Sequence, residues 1–121
     1  MSLERVYQGE TWSLTENGET ILTVKETGEK NEICLKVTGS LRSDTEHWFQ
    51  DELVALSTMG IDIVVDCEKL EYIANACQIA LLSVQKRIDK MGRGSLTLRN
   101  VPDRIYDDFK KTNLHELLMI E

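Results

Sequence analysis

Residues 61–91, IDIVVDCEKLEYIANACQIALLSVQKRIDKM, hold the two patterns that decide the fold of this chain. The stretch opens on a short apolar, β-branched run at residues 61–66, which is typical of a strand buried on both faces of a parallel sheet. A loop over residues 67–73 would follow. Apolar side chains then recur every three or four positions over residues 76–91 and predict an amphipathic helix: Cys77, Leu81, Val84, Ile88 and Met91.

Upstream of this stretch, turn residues and alternation predict three strands. Asn17-Gly18 is a strong hairpin signal, because both positions tolerate positive φ. It would join a weak strand at residues 6–14 to a second strand at residues 20–25. A further turn at residues 27–30 leads into residues 32–38, where apolar and polar residues alternate as in a half-buried strand.

Two more helices and one more strand complete the pattern. Residues 43–46, Ser-Asp-Thr-Glu, fit a capping box at the start of a helix that ends before Gly60. Residues 95–99 alternate as a strand, and Pro102 suits the first position of a last helix. Elements in this order predict an α/β fold: a mixed β-sheet of four to five strands with helices packed against it.

The chain reads as one domain. No linker, repeat or low-complexity tract interrupts its 121 residues. We predict a single domain over residues 1–121, with a core at about residues 20–120 and an extra N-terminal strand at about residues 6–14.

Composition and charge narrow the class of function. Apolar residues make up 41% of the chain, which is too many for a disordered segment. The net charge of −7 would repel phosphate backbones, so nucleic acids and anionic membranes are poor partners overall. A basic protein surface would suit this chain better.

Targeting and metal-binding signals are not found in the sequence. Residues 1–5 carry no apolar signal-peptide region, and the longest apolar run, residues 79–82, is too short to span a bilayer. Cys34, Cys67 and Cys77 lack a C-x-x-C spacing and lie away from the two histidines. We therefore predict a cytoplasmic protein with reduced cysteines, no metal and no cofactor.

The segments taken together resemble the STAS domain, the fold of bacterial anti-sigma factor antagonists and of sulphate-transporter tails. The resemblance covers about residues 21–120. Gly39-Ser40-Leu41 matches the family's turn after its second strand, and residues 63–66 match its buried central strand. Residues 70–73 resemble the approach to the signature loop, and residues 109–117 resemble the closing helix and turn. A STAS-like fold is thus implied.

The signature loop itself departs from the family. Antagonists read Asp-Ser-Ser-Gly or Asp-Ser-Thr-Gly there, and an anti-sigma factor kinase phosphorylates the first serine. Here the loop is Ala74-Asn75-Ala76-Cys77, so Asn75 occupies the phosphoacceptor position without a hydroxyl. Arg42 also stands where an acidic residue is common. The resemblance therefore implies the fold without the family's phosphorylation site.

The resemblance also implies a partner-binding surface in two segments. Its residues would be Arg42, Ser43, Asp44 and Thr45 in one loop, and Asn75, Ala76 and Gln78 around the start of the second helix. From residue type alone, Asn75 and Ser43 are instead good helix caps. Capping and partner contact are compatible roles.

By resemblance, the chain would be a protein-binding regulatory module in bacterial transcription, acting by partner switching on an anti-sigma factor or kinase-like regulator, and not an enzyme. The alternatives are a non-switching scaffold subunit of a larger regulatory or lipid-transport complex, or a small-ligand-binding domain. No nucleophile–base pair, paired carboxylates or glycine-rich phosphate loop supports catalysis.

Several side chains have two interpretations each. Cys67 and Cys77 flank the signature loop and are interpreted as small buried residues rather than a redox pair. Trp48 is either part of the core or an exposed anchor. The charged residues of the last helix form either a docking face or its solvated side, where Asp107 and Lys111 would make an i,i+4 ion pair.

Overall fold

A computed structural model describes residues 3–29 and 31–121 and contains a seven-stranded sheet and three α-helices. The strands are β1 Glu4–Gln8, β2 Thr11–Glu16, β3 Glu19–Glu29, β4 Glu32–Leu41, β5 Asp62–Ile73, β6 Ser95–Arg99 and β7 Met119–Ile120. The helices are α1 Glu46–Ser57, α2 Asn75–Met91 and α3 Asp103–Lys111, with single 3₁₀ turns at Ser43–Thr45 and Leu114–Glu116.

The strands lie in the sheet in the same order as in the sequence. β1 to β4 form an antiparallel meander, whereas β4 to β7 run parallel. Parallel neighbours need crossover connections, and α1, α2 and α3 supply them in turn. The predicted α/β class with a mixed sheet is confirmed.

The predicted strand count was too low. Four to five strands were expected and seven are present. The predicted strand at residues 6–14 is divided by a tight turn at Gly9, whose φ is +64°. At the other edge, β7 has two residues, too few to show a periodic pattern.

One face of the sheet is covered. Alternate residues of the strands point into a single apolar cluster, to which all three helices contribute. Its largest fully buried members include Phe49 of α1, Leu81 of α2 and Phe109 of α3, packed with Leu35 of β4 and Ile63 of β5. Because these strand residues share one face, the helices lie on that face together.

The other face carries mostly polar side chains and no helix of the described residues. Lys25, Lys36 and Thr38 on this face are exposed, and Thr97 and Arg99 are half-buried. We call it the open face. It follows from the alternation of side chains between the two faces along the regular parts of the strands.

Strand β5 is longer than the sequence predicts. The expected loop at residues 67–73 is its second half, paired with β4 as far as Ile73. The register between β4 and β5 shifts twice along this half. These irregularities interrupt the alternation of apolar and polar residues, so the strand pattern is not visible in the sequence.

Turns and helix ends agree with expectation to within a few residues. Asn17 and Gly18 both have positive φ, which confirms the hairpin. The turn expected at residues 27–30 is wrong for its first three residues, because they belong to β3. The fourth, Lys30, lies outside the described residues. So do Met1 and Ser2, which belong to the N-terminal segment expected to lack a signal peptide. Pro102 precedes α3 rather than opening it.

Candidate functional site

The ends of two neighbouring parallel strands bring the predicted partner-binding segments together. Leu41 at the end of β4 is in register with Ile73 at the end of β5. The Ala74 amide donates a hydrogen bond to the Leu41 carbonyl at 2.8 Å, and the Cys77 thiol donates to the Arg42 carbonyl at 3.4 Å. Residues 41–46 and 72–79 therefore form one continuous edge, which we call the rim.

The first rim segment is organised by Thr45. Its hydroxyl accepts the Arg42 amide at 3.0 Å and donates to the Arg42 carbonyl at 2.9 Å. The expected cap between Ser43 and Glu46 is therefore wrong, because Thr45 closes the turn one residue earlier. Thr45 is fully buried and contributes no exposed surface, whereas Ser43 is exposed.

Arg42 ties the rim to the β2–β3 hairpin. Its Nε donates to Asp44 Oδ1 at 2.9 Å, and its Nη2 lies 3.4 Å from Glu16 Oε2. The hydrogen bond with Asp44 raises the pKa of Arg42 above its ordinary value and lowers that of Asp44. Because both groups are partly exposed, the pair fixes geometry more than it stabilises the fold.

Asn75 does not cap the helix, contrary to the capping interpretation. The extended residue before α2 is Ala74, and Asn75 is its first helical residue. An N-cap must have extended backbone angles, so the capping position falls one residue too early for Asn75. Its side chain is exposed, and Ala76 beside it is half-buried.

Gln78 is buried, which corrects its place among the surface residues. Only 3% of it is accessible, and its Nε2 donates to the Ile73 carbonyl at 3.4 Å. Tyr72 and Ile79 are instead 51% and 61% exposed on the rim, and neither was predicted. The signal for Ile79 was its position off the apolar stripe of α2.

The remaining sequence candidates take structural positions. Cys67 and Cys77 are buried free thiols, and burial raises the pKa of each to about 12, so both are neutral at physiological pH. Trp48 is half-buried against the core. The pair expected between Asp107 and Lys111 is wrong, since Asp107 pairs with Lys110, and Lys111 with Asp108.

The described residues lack the features of two other classes of site. Residues 3–29 and 31–121 contain no group of three or more His, Cys, Asp or Glu side chains placed to hold a metal ion. No helix in the same part of the chain is long and apolar enough to cross a membrane.

A family model matches most of this chain. The family model described as "Mlab, STAS domain" matches residues 24–120, most of the chain. Among proteins with curated functions, none matches the sequence significantly. The β1–β2 hairpin lies outside the matched residues.

Solved structures share the fold at low sequence identity. A protein of Thermotoga maritima described as a candidate anti-sigma factor antagonist has a TM-score of 0.71 at 16% identity, over 80% of this chain and 84% of that one. An anti-sigma factor antagonist from Mycobacterium paratuberculosis has a TM-score of 0.68 at 13% identity, over 82% and 84%. The murine anion transporter Slc26a9 has 0.62 at 16% identity, over 74% of this chain and 15% of the transporter.

Proposed function

Because the chain belongs to the STAS-domain family, we propose that it is a non-enzymatic, protein-binding regulatory module of the anti-sigma factor antagonist type. Its partner would be an anti-sigma factor or a kinase-like regulator of bacterial transcription. It would act in the cytoplasm as a single domain, without a cofactor. Residues 24–120 carry the family match that supports this proposal.

The continuity of the rim is the observation that carries the proposal. The hydrogen bond from Ala74 to Leu41 joins the two segments that the family resemblance assigns to partner binding. The rim segments include exposed apolar side chains, Tyr72 and Ile79, as well as exposed polar side chains, Ser43 and Asn75. Protein interfaces combine an apolar centre with a polar margin in this way.

Asn75 bears on the control of binding. Phosphorylation would add about −1.5 to −2 charges at the start of α2, enough to disrupt a docked partner. Asn75 has no hydroxyl to accept a phosphate. The module would therefore stay competent to bind, or be controlled at another position.

Substitution of Asn75 by glutamate tests the proposed surface. A carboxylate in the first turn is compatible with the helix dipole, so the fold should be retained. Against a purified candidate anti-sigma factor, we expect calorimetry to show at least about tenfold weaker binding for Asn75→Glu, or about 1.4 kcal/mol.

Gln8→Glu is the matched control. It adds the same charge on exposed β1, outside the residues of the family match. Its binding should equal that of the wild type. Equal affinities for the wild type and Asn75→Glu would show that the rim is not the docking surface.

A non-switching scaffold subunit of a larger regulatory or lipid-transport complex is the second candidate. The absent hydroxyl at Asn75 favours it, and the matching family model is not described as an anti-sigma factor antagonist. Co-elution in a large stable assembly with partner subunits would support the scaffold. A monomer that binds only the anti-sigma factor would support the first candidate.

A further inference from the structure

The open face contains a groove that the proposed partner surface does not use. Its volume is about 410 Å³, and it lies across strands β2, β3, β4 and β5. Its charged lining consists of three lysines and two carboxylates: Lys25, Lys36, Lys69, Asp66 and Glu68. This lining is therefore net positive by one charge in a chain of net charge −7.

Two of the lysines face each other directly. Lys25 on β3 and Lys36 on β4 are register partners, and both are exposed on the open face. Like charges directly opposite on neighbouring strands destabilise a sheet. No described carboxylate forms an ion pair with either lysine. Folding alone therefore gives no reason for this pair.

The third lysine reaches the groove through a bulge. On β5, two residues lie between Asp66 and Lys69, while a single residue separates their partners Lys36 and Thr38 on β4. Without the extra residue, Lys69 would alternate onto the covered face. The bulge turns Lys69 to the open face, opposite Thr38, and bulges often redirect side chains in this manner next to binding sites.

The two carboxylates define the other chemistry of the groove. Asp66 Oδ1 accepts the Glu68 amide at 3.1 Å and Asn100 Nδ2 at 3.2 Å, so this carboxylate is held in place. Asp66 and Glu68 both line the groove, and carboxylate oxygens can accept hydrogen bonds from hydroxyl groups. Lysines beside them suit an anion of phosphate type.

From this arrangement we propose that the groove binds a small phosphate-bearing molecule that also carries hydroxyl groups. The lysines hold the phosphate, and Asp66 and Glu68 accept the hydroxyls. The volume falls within the range of about 300–1,000 Å³ that is typical of small-molecule sites. The site lies on the open face and is independent of the rim.

Binding can be measured by NMR titration of isotope-labelled protein at constant ionic strength. Glycerophosphate is the probe, with inorganic phosphate and glycerol as two partial probes. We expect saturable shifts at the groove, strongest for glycerophosphate, weaker for phosphate and none for glycerol. Absence of saturable shifts with glycerophosphate would overturn the proposal, as would equal shifts with glycerol.

Lysine substitutions locate the site. Lys36→Gln should weaken glycerophosphate binding about tenfold. The control is Lys86→Gln, which removes the same charge from an exposed position on α2 and should leave binding unchanged. Lys25→Glu replaces the like-charge pair with an opposite-charge pair, so it should raise the melting temperature while abolishing binding. Retained binding by the folded Lys25→Glu variant would overturn the proposal.

A further arm distinguishes a soluble ligand from a membrane. Co-sedimentation with phosphatidic acid vesicles, together with no response to glycerophosphate, would replace the proposed ligand with a lipid surface. The Lys36→Gln variant should bind the anti-sigma factor as tightly as the wild type does. The anti-sigma factor measurement therefore tests the rim, and the glycerophosphate measurement tests the groove, so each proposal can fail without the other.

Discussion

The two faces of the sheet are built from the same strands and differ in what the fold requires of them. On β4, Leu35 is fully buried under the helices, while its neighbour Lys36 is exposed in the groove of the open face. The covered face must supply apolar area and close packing. The open face needs only to be soluble, so charges there that weaken the sheet indicate a role other than folding.

The largest expected change in the free energy of unfolding comes from substituting Leu35, and substituting its neighbour Lys36 provides the comparison. Leu35→Ala removes buried methyl groups and leaves a cavity, so it should lower the free energy of unfolding by about 2–5 kcal/mol. Lys36→Ala should change it by no more than about 0.5 kcal/mol. Urea denaturation of both variants measures the difference. Similar losses in the two variants would mean that the open face is also packed.

A smaller effect concerns the backbone of the covered face. Gly39 on β4 has a φ of +102°, and an added Cβ would collide with the Ile21 carbonyl of β3. Gly39→Ala should therefore cost about 2 kcal/mol in unfolding free energy. The matched control is Gly18→Ala, where φ is also positive but no atom beyond the adjacent residues lies within 4 Å of the added Cβ.

Because the control retains only the dihedral strain, it should lose about 1 kcal/mol. The difference between the two glycine variants measures the steric part of the close approach of β3 and β4. If Gly39→Ala were no less stable than Gly18→Ala, the strands would separate at little cost.

The smallest expected change in stability concerns two glutamates, Glu52 and Glu26, at the margin of the covered face. Burial, followed by the nearby Glu26 carboxylate, raises the pKa of Glu52 on α1. The folded protein therefore holds this proton at pH values where the unfolded chain has lost it. Stability falls as the pH rises from the unfolded pKa through the folded pKa, and remains reduced at neutral pH.

Glu52→Gln should remove this penalty. We expect a gain of roughly 0.5 kcal/mol at neutral pH and a flatter dependence of stability on pH in the window above the unfolded pKa. Thermal melts across that window, with exposed Glu71→Gln as control, measure both. A loss of stability in Glu52→Gln at neutral pH would show that the charged form is the favoured one.

Much of the covered face was predictable because its elements are periodic. The stripe of α2 and the strand at residues 95–99 depend on apolar side chains repeating at fixed spacing, and the bounds of both elements agree with expectation to within one residue. Met91, the last residue of the expected stripe, is exposed at the end of the helix. The second half of β5 was missed because its bulges break the period. Asn75 was assigned to the wrong cap position because residue preference does not determine where the extended backbone ends.

The candidate sites were less predictable than the fold. The sequence Gly39-Ser40-Leu41, which is the end of β4, and residues 74–77, which contain the first turn of α2, led to the two rim segments, yet Thr45 and Gln78 proved to be buried. Tyr72 and Ile79 were not expected at the rim. A local pattern gives the chemistry of a side chain, while its exposure depends on what packs over it.

The sequence by itself determined the α/β class, the succession of elements and the absence of a side-chain hydroxyl at Asn75, because these follow from residue type and local spacing. Only the tertiary structure decided that Lys25, Lys36 and Lys69 share one groove. Their meeting depends on strand register and on a bulge in β5, and register is set by pairing between residues distant in the chain.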